Sequence, residues 1–251
     1  MFYRIITLYF IIISTLLCSF SLYGDTSGTV LITGANRGIG LALAERFSRA
    51  GYDVIGTARK PGRASELAEL DVRVERLDVS SQASVEELVE QLGDTPIDIL
   101  INNAGIKGDD SKLMDGLDVD EIARVLDVNT LGPLRVTQAL FGNLRQEPHA
   151  VVANVSSMMG SMEMNTWGCC VGYRASKAAL NSVTSTMAVD YGGDGLVFVA
   201  LHPGYVQTDM NEGRGNVTPK DSADGLFRVI TGLEAGDNGK FYDFQGKALP
   251  W

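Results

Sequence analysis

A short β-rich run, Gly28-Thr29-Val30-Leu31-Ile32-Thr33, passes directly into Gly34-Ala35-Asn36-Arg37-Gly38-Ile39-Gly40 and then into a helical pattern from Leu41 to Ala50. Strand, glycine turn and helix in that order make a βα unit whose glycines let the backbone approach a pyrophosphate. The helix N-terminus adds N–H groups and a positive dipole end. Gly34, Asn36, Arg37, Gly38, Ile39 and Gly40 are therefore the first candidate nucleotide contacts. The alternative is a turn that merely joins strand to helix.

The next three strands favour the nucleotide reading. A second strand, Asp53 to Thr57, ends Thr57-Ala58-Arg59-Lys60. In a dinucleotide fold a carboxylate at this point binds the ribose 2′-hydroxyl, whereas an arginine accommodates a 2′-phosphate. Arg59 stands there and Arg37 is a second cation within reach, so NADP(H) is favoured over NAD. A helix is expected near Pro61 to Leu70, then a third strand over Val72 to Val79. Asp78 and Val79 at its end are placed to meet an adenine edge, although Asp78 is equally suited to capping the next helix, Ser81 to Leu92. The fourth strand, Ile97 to Ile101, runs into Asn102-Asn103-Ala104-Gly105. The small residues after Asn103 would let a flat adenine–ribose lie on the backbone, which adds Asn103, Ala104 and Gly105 to the candidates. Strands and helices alternating at this spacing imply an α/β Rossmann-type fold, one doubly wound parallel sheet with helices on both faces.

The second half carries a different chemistry. Tyr173 and Lys177 lie four apart in a helical run, Val171 to Ala188, and so share one helix face. A phenol near pKa ~10 holds its proton too tightly for acid–base work at neutral pH, and a fixed cation nearby favours the phenolate. On this reading Lys177 makes Tyr173 a proton donor or acceptor. A long helix over Asp118 to Leu144 should be kinked or broken at Gly132-Pro133. Asn129 sits just before that break; it either holds a water beside Lys177 or satisfies local backbone groups. A fifth strand, Ala150 to Val155, ends in Ser156-Ser157, where a hydroxyl could meet a substrate oxygen. Met158, Met159, Met162, Met164 and Trp167 come next as packing or pocket lining. A sixth strand, Gly195 to Leu201, leads into His202-Pro203-Gly204-Tyr205-Val206-Gln207-Thr208. Pro203, Gly204 and Val206 would offer backbone groups to a cofactor, and Thr208 a hydroxyl for a nicotinamide carboxamide. His202, before a proline, reads as packing. Asn211 to Asn216 reads as a mobile loop suited to a lid.

Composition removes several alternatives. The 251 residues carry a formal net charge of −10, and the basic residues form no runs, so nucleic acid is not an expected partner. Three cysteines and two histidines make neither a disulfide framework nor metal spacing. Cys169 and Cys170 read as small apolar residues, with a reactive thiol as the alternative. Arg4 is followed by an uncharged run, residues 5–24, that reads as a secretory signal peptide or a membrane anchor. On that reading the protein is exported or membrane-attached; a mis-assigned start codon would leave it cytoplasmic. The catalytic domain is expected over 28–251.

Taken together, TGxxxGxG at Gly34, Gly38 and Gly40, the NNAG run, Ser157 and YxxxK resemble the short-chain dehydrogenase/reductase family, in its order. The resemblance runs from about Thr29 to Trp251. TGANRGIG, GTARKP, HPGYVQTDM and the closing Pro250-Trp251 place it nearest the C-factor, sniffer and carbonyl-reductase branch. It implies a Ser157–Tyr173–Lys177 catalytic set supported by Asn129, NADPH-dependent reduction of a ketone, aldehyde or quinone, and leaves a homodimer open. The C-factor likeness also implies a rival, a non-catalytic NADP-binding signalling protein. Ser157 and Tyr173 are sixteen residues apart, more than is common in the family, which bears on the shape of the pocket.

Overall fold

The computed structural model describes residues 27–108 and 116–251. The expectation of a signal peptide or anchor in residues 1–24 lies outside them. No helix among the described residues is long and apolar enough to cross a membrane.

The elements are β1 (Thr29–Ile32), α1 (Gly38–Ser48), β2 (Asp53–Ala58), α2 (Ser65–Ala68), β3 (Arg73–Arg76), α3 (Gln82–Leu92), β4 (Ile99–Asn102), α4 (Val119–Leu126), α5 (Gly132–Ala139), α6 (Phe141–Leu144), β5 (Val151–Val155), α7 (Val171–Tyr191), β6 (Val197–His202), α8 (Pro219–Thr231) and β7 (Lys240–Asp243). The strands form a seven-stranded sheet in the order β3-β2-β1-β4-β5-β6-β7, and every neighbouring pair is parallel. The order reverses between β1 and β4, and the crevice outside the carboxyl ends of strands at such a switch point is where ligands bind.

Alternation along the strands divides the core into two layers. Val30 and Ile32 face α1 and α8 with Phe47, Leu67 and Leu226, whereas Leu31 faces the other way with Leu88, Leu100, Val136 and Phe198. The α1–α8 side is fastened by aromatics: the Phe47 ring meets Tyr52 at 5.1 Å and Phe227 at 4.8 Å, both edge-on. Arg46 lies 3.6 Å over Phe227 and pairs with Asp224 at 3.1 Å. The opposite layer holds a buried polar chain. Asn102 donates to Thr137 (3.1 Å) and to Asn154 (2.9 Å), and Asn154 donates to Thr184 (2.9 Å).

Two elements differ from expectation, and a third follows it. The helix read over Pro61 to Leu70 is a 3₁₀ turn, Pro61–Arg63, then the single turn α2, because Ala64 between them is non-helical (φ −103°, ψ 52°). The third strand stops at Arg76; beyond it the Ser80 N–H and hydroxyl both bond the Asp78 carboxylate and turn the chain away. Asp78 is not the cap of α3, since the Ser81 side chain accepts from the Ser84 N–H. The long helix to Leu144 is broken as its Gly-Pro predicted. Between α4 and α5 runs a π-helical turn, Asp127–Leu131. Pro133 has no N–H to give the Asn129 carbonyl four residues earlier, which favours a widened turn there.

Because Phe47 is fully buried, Phe47→Ala should cost about 3–5 kcal/mol of stability, read by urea unfolding.

Candidate active site

The glycine turn is built for close approach. Gly34 and Gly38 adopt φ of +66° and +57°, where side chains with a Cβ are strained. A Cβ on Gly34 would lie 3.0 Å from the Ala104 Cα, and one on Gly40 would run into the Gly34 carbonyl. Arg37 is the N-cap of α1 in extended conformation and its side chain makes no capping hydrogen bond, so the first N–H groups of the helix receive no acceptor from it. Asn36 and Ile39 lie in the same turn, half-buried, with Ile39 packed on the core. Asn103 holds the turn in place: its amide donates to the Thr33 and Gly34 carbonyls (3.0 and 3.1 Å), while the Thr33 hydroxyl accepts from the Asn103 and Ala104 N–H groups, each at 3.0 Å. Thr33 was not singled out from sequence.

The segment after β6 folds over this turn. A Cβ at Gly38 would lie 3.3 Å from the Thr208 methyl, and Arg37 pairs with Asp209 at 3.1 Å. Gly204 is left-handed (φ +89°), Pro203 accepts from the Ser222 hydroxyl (2.7 Å), and the Val206 carbonyl accepts from Asn211. The stretch from Asn211 to Asn216 is tied back, with the Asn216 N–H on the Tyr205 carbonyl at 2.9 Å. His202 packs, as expected; burial pushes its pKa down to about 4 against the opposing pull of Asp243, so it is neutral at pH 7. At the end of β2, Arg59 is exposed and lies near Asp78. Burial would raise the Asp78 pKa, but the Ser80 hydrogen bonds, Arg59 and Arg76 hold it below the usual carboxylate value. Val79 is turned inward onto Gly132, and its carbonyl is taken by Arg135.

Ser157, Tyr173 and Lys177 meet at the carboxyl end of β5. Ser157 accepts from the Met159 N–H (3.1 Å), and its side chain lies close enough to the Tyr173 phenol to pull the phenol pKa down. Ser156 points the other way, donating to Asn181 at 2.6 Å in the core, which leaves Ser157 as the serine facing Tyr173. The sixteen-residue interval is absorbed by an exposed loop and does not separate the two hydroxyls. Lys177, 5% exposed, donates to the Val155 carbonyl at 2.8 Å. A Cβ on Gly105 would lie 3.2 Å from the Asn129 Oδ1 and 3.8 Å from the Lys177 Nζ, so the amide and the amine flank this glycine. The Asn129 side chain clasps Ile106, accepting from its N–H and donating to its carbonyl (2.8 Å each), and also donates to the Ser176 hydroxyl at 3.0 Å. Of the two roles open to Asn129, its side chain serves the backbone.

The electrostatics correct one expectation. Burial pushes the Tyr173 phenol up to about 12, opposed only by the Ser157 hydrogen bond, and pulls Lys177 down to about 8. Lys177 does not lower the resting phenol, because desolvation outweighs an amine whose Nζ is 5.8 Å from the ring centre and engaged with Val155. The arrangement holds a protonated phenol beside a weakened ammonium.

The loop from Met158 to Gly172 is pinned from two sides by residues whose role there was not read from sequence. Arg174 donates through Nε to the Gly168 and Cys169 carbonyls (2.9 and 3.1 Å) and through Nη1 to Met159 (3.3 Å), and its guanidinium lies 4.7 Å from the centre of the Trp167 ring. Its place between Tyr173 and Lys177 was the signal available. From outside, the Trp251 main-chain oxygen accepts from the Ser161 hydroxyl at 3.1 Å, and its ring stacks on Phe241. Met162 and Trp167 are exposed apolar side chains of this loop. Cys169 and Cys170 are not packed apolar residues as expected: they are disulfide-bonded to each other on the open face of this loop. A groove of about 290 Å³ between α8 and β7, lined by Arg228, Asp237 and Tyr242 among others, shares no residue with this group.

A parallel sheet with a glycine turn at its switch point, with Ser157 after β5 facing Tyr173 and Lys177 on α7, defines a Rossmann-type fold. The family model described as short chain dehydrogenase matches residues 28–217, and the chain belongs to that family of oxidoreductases. It is 47% identical over 156 residues to the C-signal protein of Myxococcus xanthus, covering 62% of this chain and 93% of that one. Among solved structures it resembles the carbonyl reductase Sniffer of D. melanogaster (TM-score 0.83, 29% identity, 89% of this chain and 99% of that one). It likewise resembles an NADPH-bound carbonyl reductase from chicken fatty liver (TM-score 0.81, 33% identity, 90% and 100%).

Arg174→Met should leave three loop carbonyls without their donor, costing about 1–3 kcal/mol in urea unfolding and speeding proteolysis within residues 161–170.

Proposed function

We propose that the protein is an NADPH-dependent carbonyl reductase. The observation that carries this is the gathering of Ser157, Tyr173 and buried Lys177 at the carboxyl end of β5, in a sheet whose glycine turn leads into a helix without a side-chain cap. The residues fit the cofactor: the turn at Gly34, Gly38 and Gly40 leaves no room for a Cβ where a pyrophosphate would pass, and Arg37 and Arg59 stand where a 2′-phosphate would need cations. Asp78 and Val79 would border the adenine, Asn103 to Gly105 the adenine–ribose, and Pro203, Gly204, Val206 and Thr208 the nicotinamide amide. The bound cofactor supplies a hydride.

This chain's residues supply the rest. Ser157 and Tyr173 hold the carbonyl oxygen and stabilise the negative charge that grows on it. Tyr173, protonated at rest, gives its phenolic proton to that oxygen. Lys177, its Nζ 5.8 Å from the centre of the Tyr173 ring, would steady the phenolate left behind and also hold the nicotinamide ribose. The main chain of Asn129, in its widened turn, would hold the water that relays a proton back, since its side chain is taken by Ile106 and Ser176. The exposed apolar Met162 and Trp167 on the loop between Ser157 and Tyr173 favour an apolar ketone, aldehyde or quinone.

Tyr173→Phe should abolish NADPH oxidation across such a panel while NADPH binding, followed by fluorescence, is kept; full activity in this variant sinks the mechanism. For reduction, kcat/KM should fall as pH rises through about 8, because Lys177 loses its proton there and not near 10.5, whereas Tyr173 at about 12 adds no limb below it. A profile flat from about pH 6 to about pH 10 would exclude Lys177 from the reaction. Arg59→Glu should narrow the preference for NADPH over NADH about tenfold or more, the size of a lost charge-assisted hydrogen bond of roughly 1.5–3 kcal/mol.

The similarity to C-signal supports a second reading, a signalling protein that binds the cofactor without consuming it. The kept Ser, Tyr and Lys weigh against it, since binding alone needs no proton donor. NADPH bound but never oxidised across a broad substrate panel would favour it.

A further inference from the structure

The loop in front of α7 carries two adjacent cysteines that carbonyl reduction does not use. Cys169 and Cys170 are bonded to each other, Cys169 is exposed and Cys170 is half-buried. Gly168, Cys169 and Cys170 are all left-handed, with φ of 69°, 64° and 60°. Glycine adopts that region freely, but two successive residues with a Cβ do so only when their surroundings hold them there. Two things hold them. One is the ring closed by the bond between the neighbours. The other is Arg174, which donates to the Gly168 and Cys169 carbonyls from its side chain and to the Cys170 carbonyl from its own N–H at 2.9 Å. Cys170 is the residue from which α7 starts, and Tyr173 lies three positions on. The cystine is thus joined, through one residue's carbonyl bonds, to the helix that presents the phenol and to the Trp167 ring against Arg174.

We propose that Cys169–Cys170 is a redox-modification site: a surface cystine that a dithiol reductant opens, and whose state sets the shape of the loop over Tyr173. One thiolate of the reductant attacks the exposed Cys169 sulfur, the bond between the cysteines breaks, and Cys170 leaves as a thiolate that takes up a proton. The second thiolate of the reductant then displaces Cys169, which is protonated in turn. Two electrons and two protons reach the cysteines, and the reductant departs as its own disulfide. The reverse exchange with a disulfide oxidant closes the pair again. Once open, the two residues are no longer confined to left-handed conformation. They relax toward extended or right-handed backbone, drawing the Gly168 and Cys169 carbonyls off Arg174 and releasing Trp167.

The site stands on the thiol chemistry alone; only its effect on turnover rests on the carbonyl-reductase reading. The full-length protein, purified without reductant, is denatured and alkylated with iodoacetamide before and after dithiothreitol, and the peptide carrying both cysteines is weighed. It should be unlabelled before and doubly labelled after. The native protein is then treated with dithiothreitol, and afterwards with its oxidised form. Tryptophan emission should shift and return, and the KM for a carbonyl substrate should change several-fold and return, with far-ultraviolet circular dichroism constant. A Cys169→Ser, Cys170→Ser double variant should show neither response. Full labelling before reductant overturns the proposal, as does unchanged tryptophan emission on native reduction. Absence of NADPH oxidation in both redox states counts against the carbonyl-reductase reading instead, and leaves emission and labelling to decide the site.

Discussion

The site depends on keeping one amine inside the protein. Lys177 is 5% exposed and is met by the Val155 carbonyl; its pKa is depressed by burial, with no carboxylate contributing. Burying a cation on a single dipole is costly, which is why its pKa falls to about 8, and the helix that carries it is packed from several sides. The chain after β5 comes so near that a Cβ on Gly160 would lie 2.7 Å from the Lys177 carbonyl carbon. The chain after β4 comes near through Gly105, and the widened turn at Asp127–Leu131 locks onto α7 through Asn129 to Ser176 and Thr130 to the Ser176 carbonyl. Three loops distant in sequence are thereby fixed on the Ser176–Lys177 stretch of α7, and the phenol one turn earlier on that helix inherits the position.

Much of this was legible in the sequence. The βα alternation, the glycine turn and the four-residue spacing of Tyr173 and Lys177 are local patterns, and local patterns carry through because they express backbone geometry that the rest of the fold accepts. The break at Gly132-Pro133 was legible for the same reason, since a residue without an N–H interrupts a helix wherever it stands. What was not legible depended on partners far along the chain. Nothing local tells that Arg174 spends its guanidinium on three carbonyls, that Thr33 anchors Asn103, or that a Trp251 oxygen holds Ser161. The direction of the phenol's shift was misread because spacing shows that two groups share a face, whereas desolvation depends on everything else packed around them.

Adjacent cysteines illustrate the same limit from the other side. As a sequence they look like two small apolar residues, and two neighbours rarely invite thought of a bond between them. Only the left-handed backbone at both positions, continuing from Gly168, shows that the chain has been turned to let their sulfurs meet.

The buried chain of amides and hydroxyls from Thr137 through Asn102 and Asn154 to Thr184 has a consequence for how the sheet assembles. Asn102 and Asn154 are paired residues on neighbouring strands and sit on one face of the sheet. Sliding β5 by a single position against β4 would turn one amide toward the opposite layer and strand the other in hydrocarbon. Apolar side chains would forgive such a misalignment, because valine and isoleucine fill either layer nearly as well. The two asparagines do not, so they act as a proof-reading mark that accepts one alignment of the central strands and, with it, one placement of the serine at the end of β5.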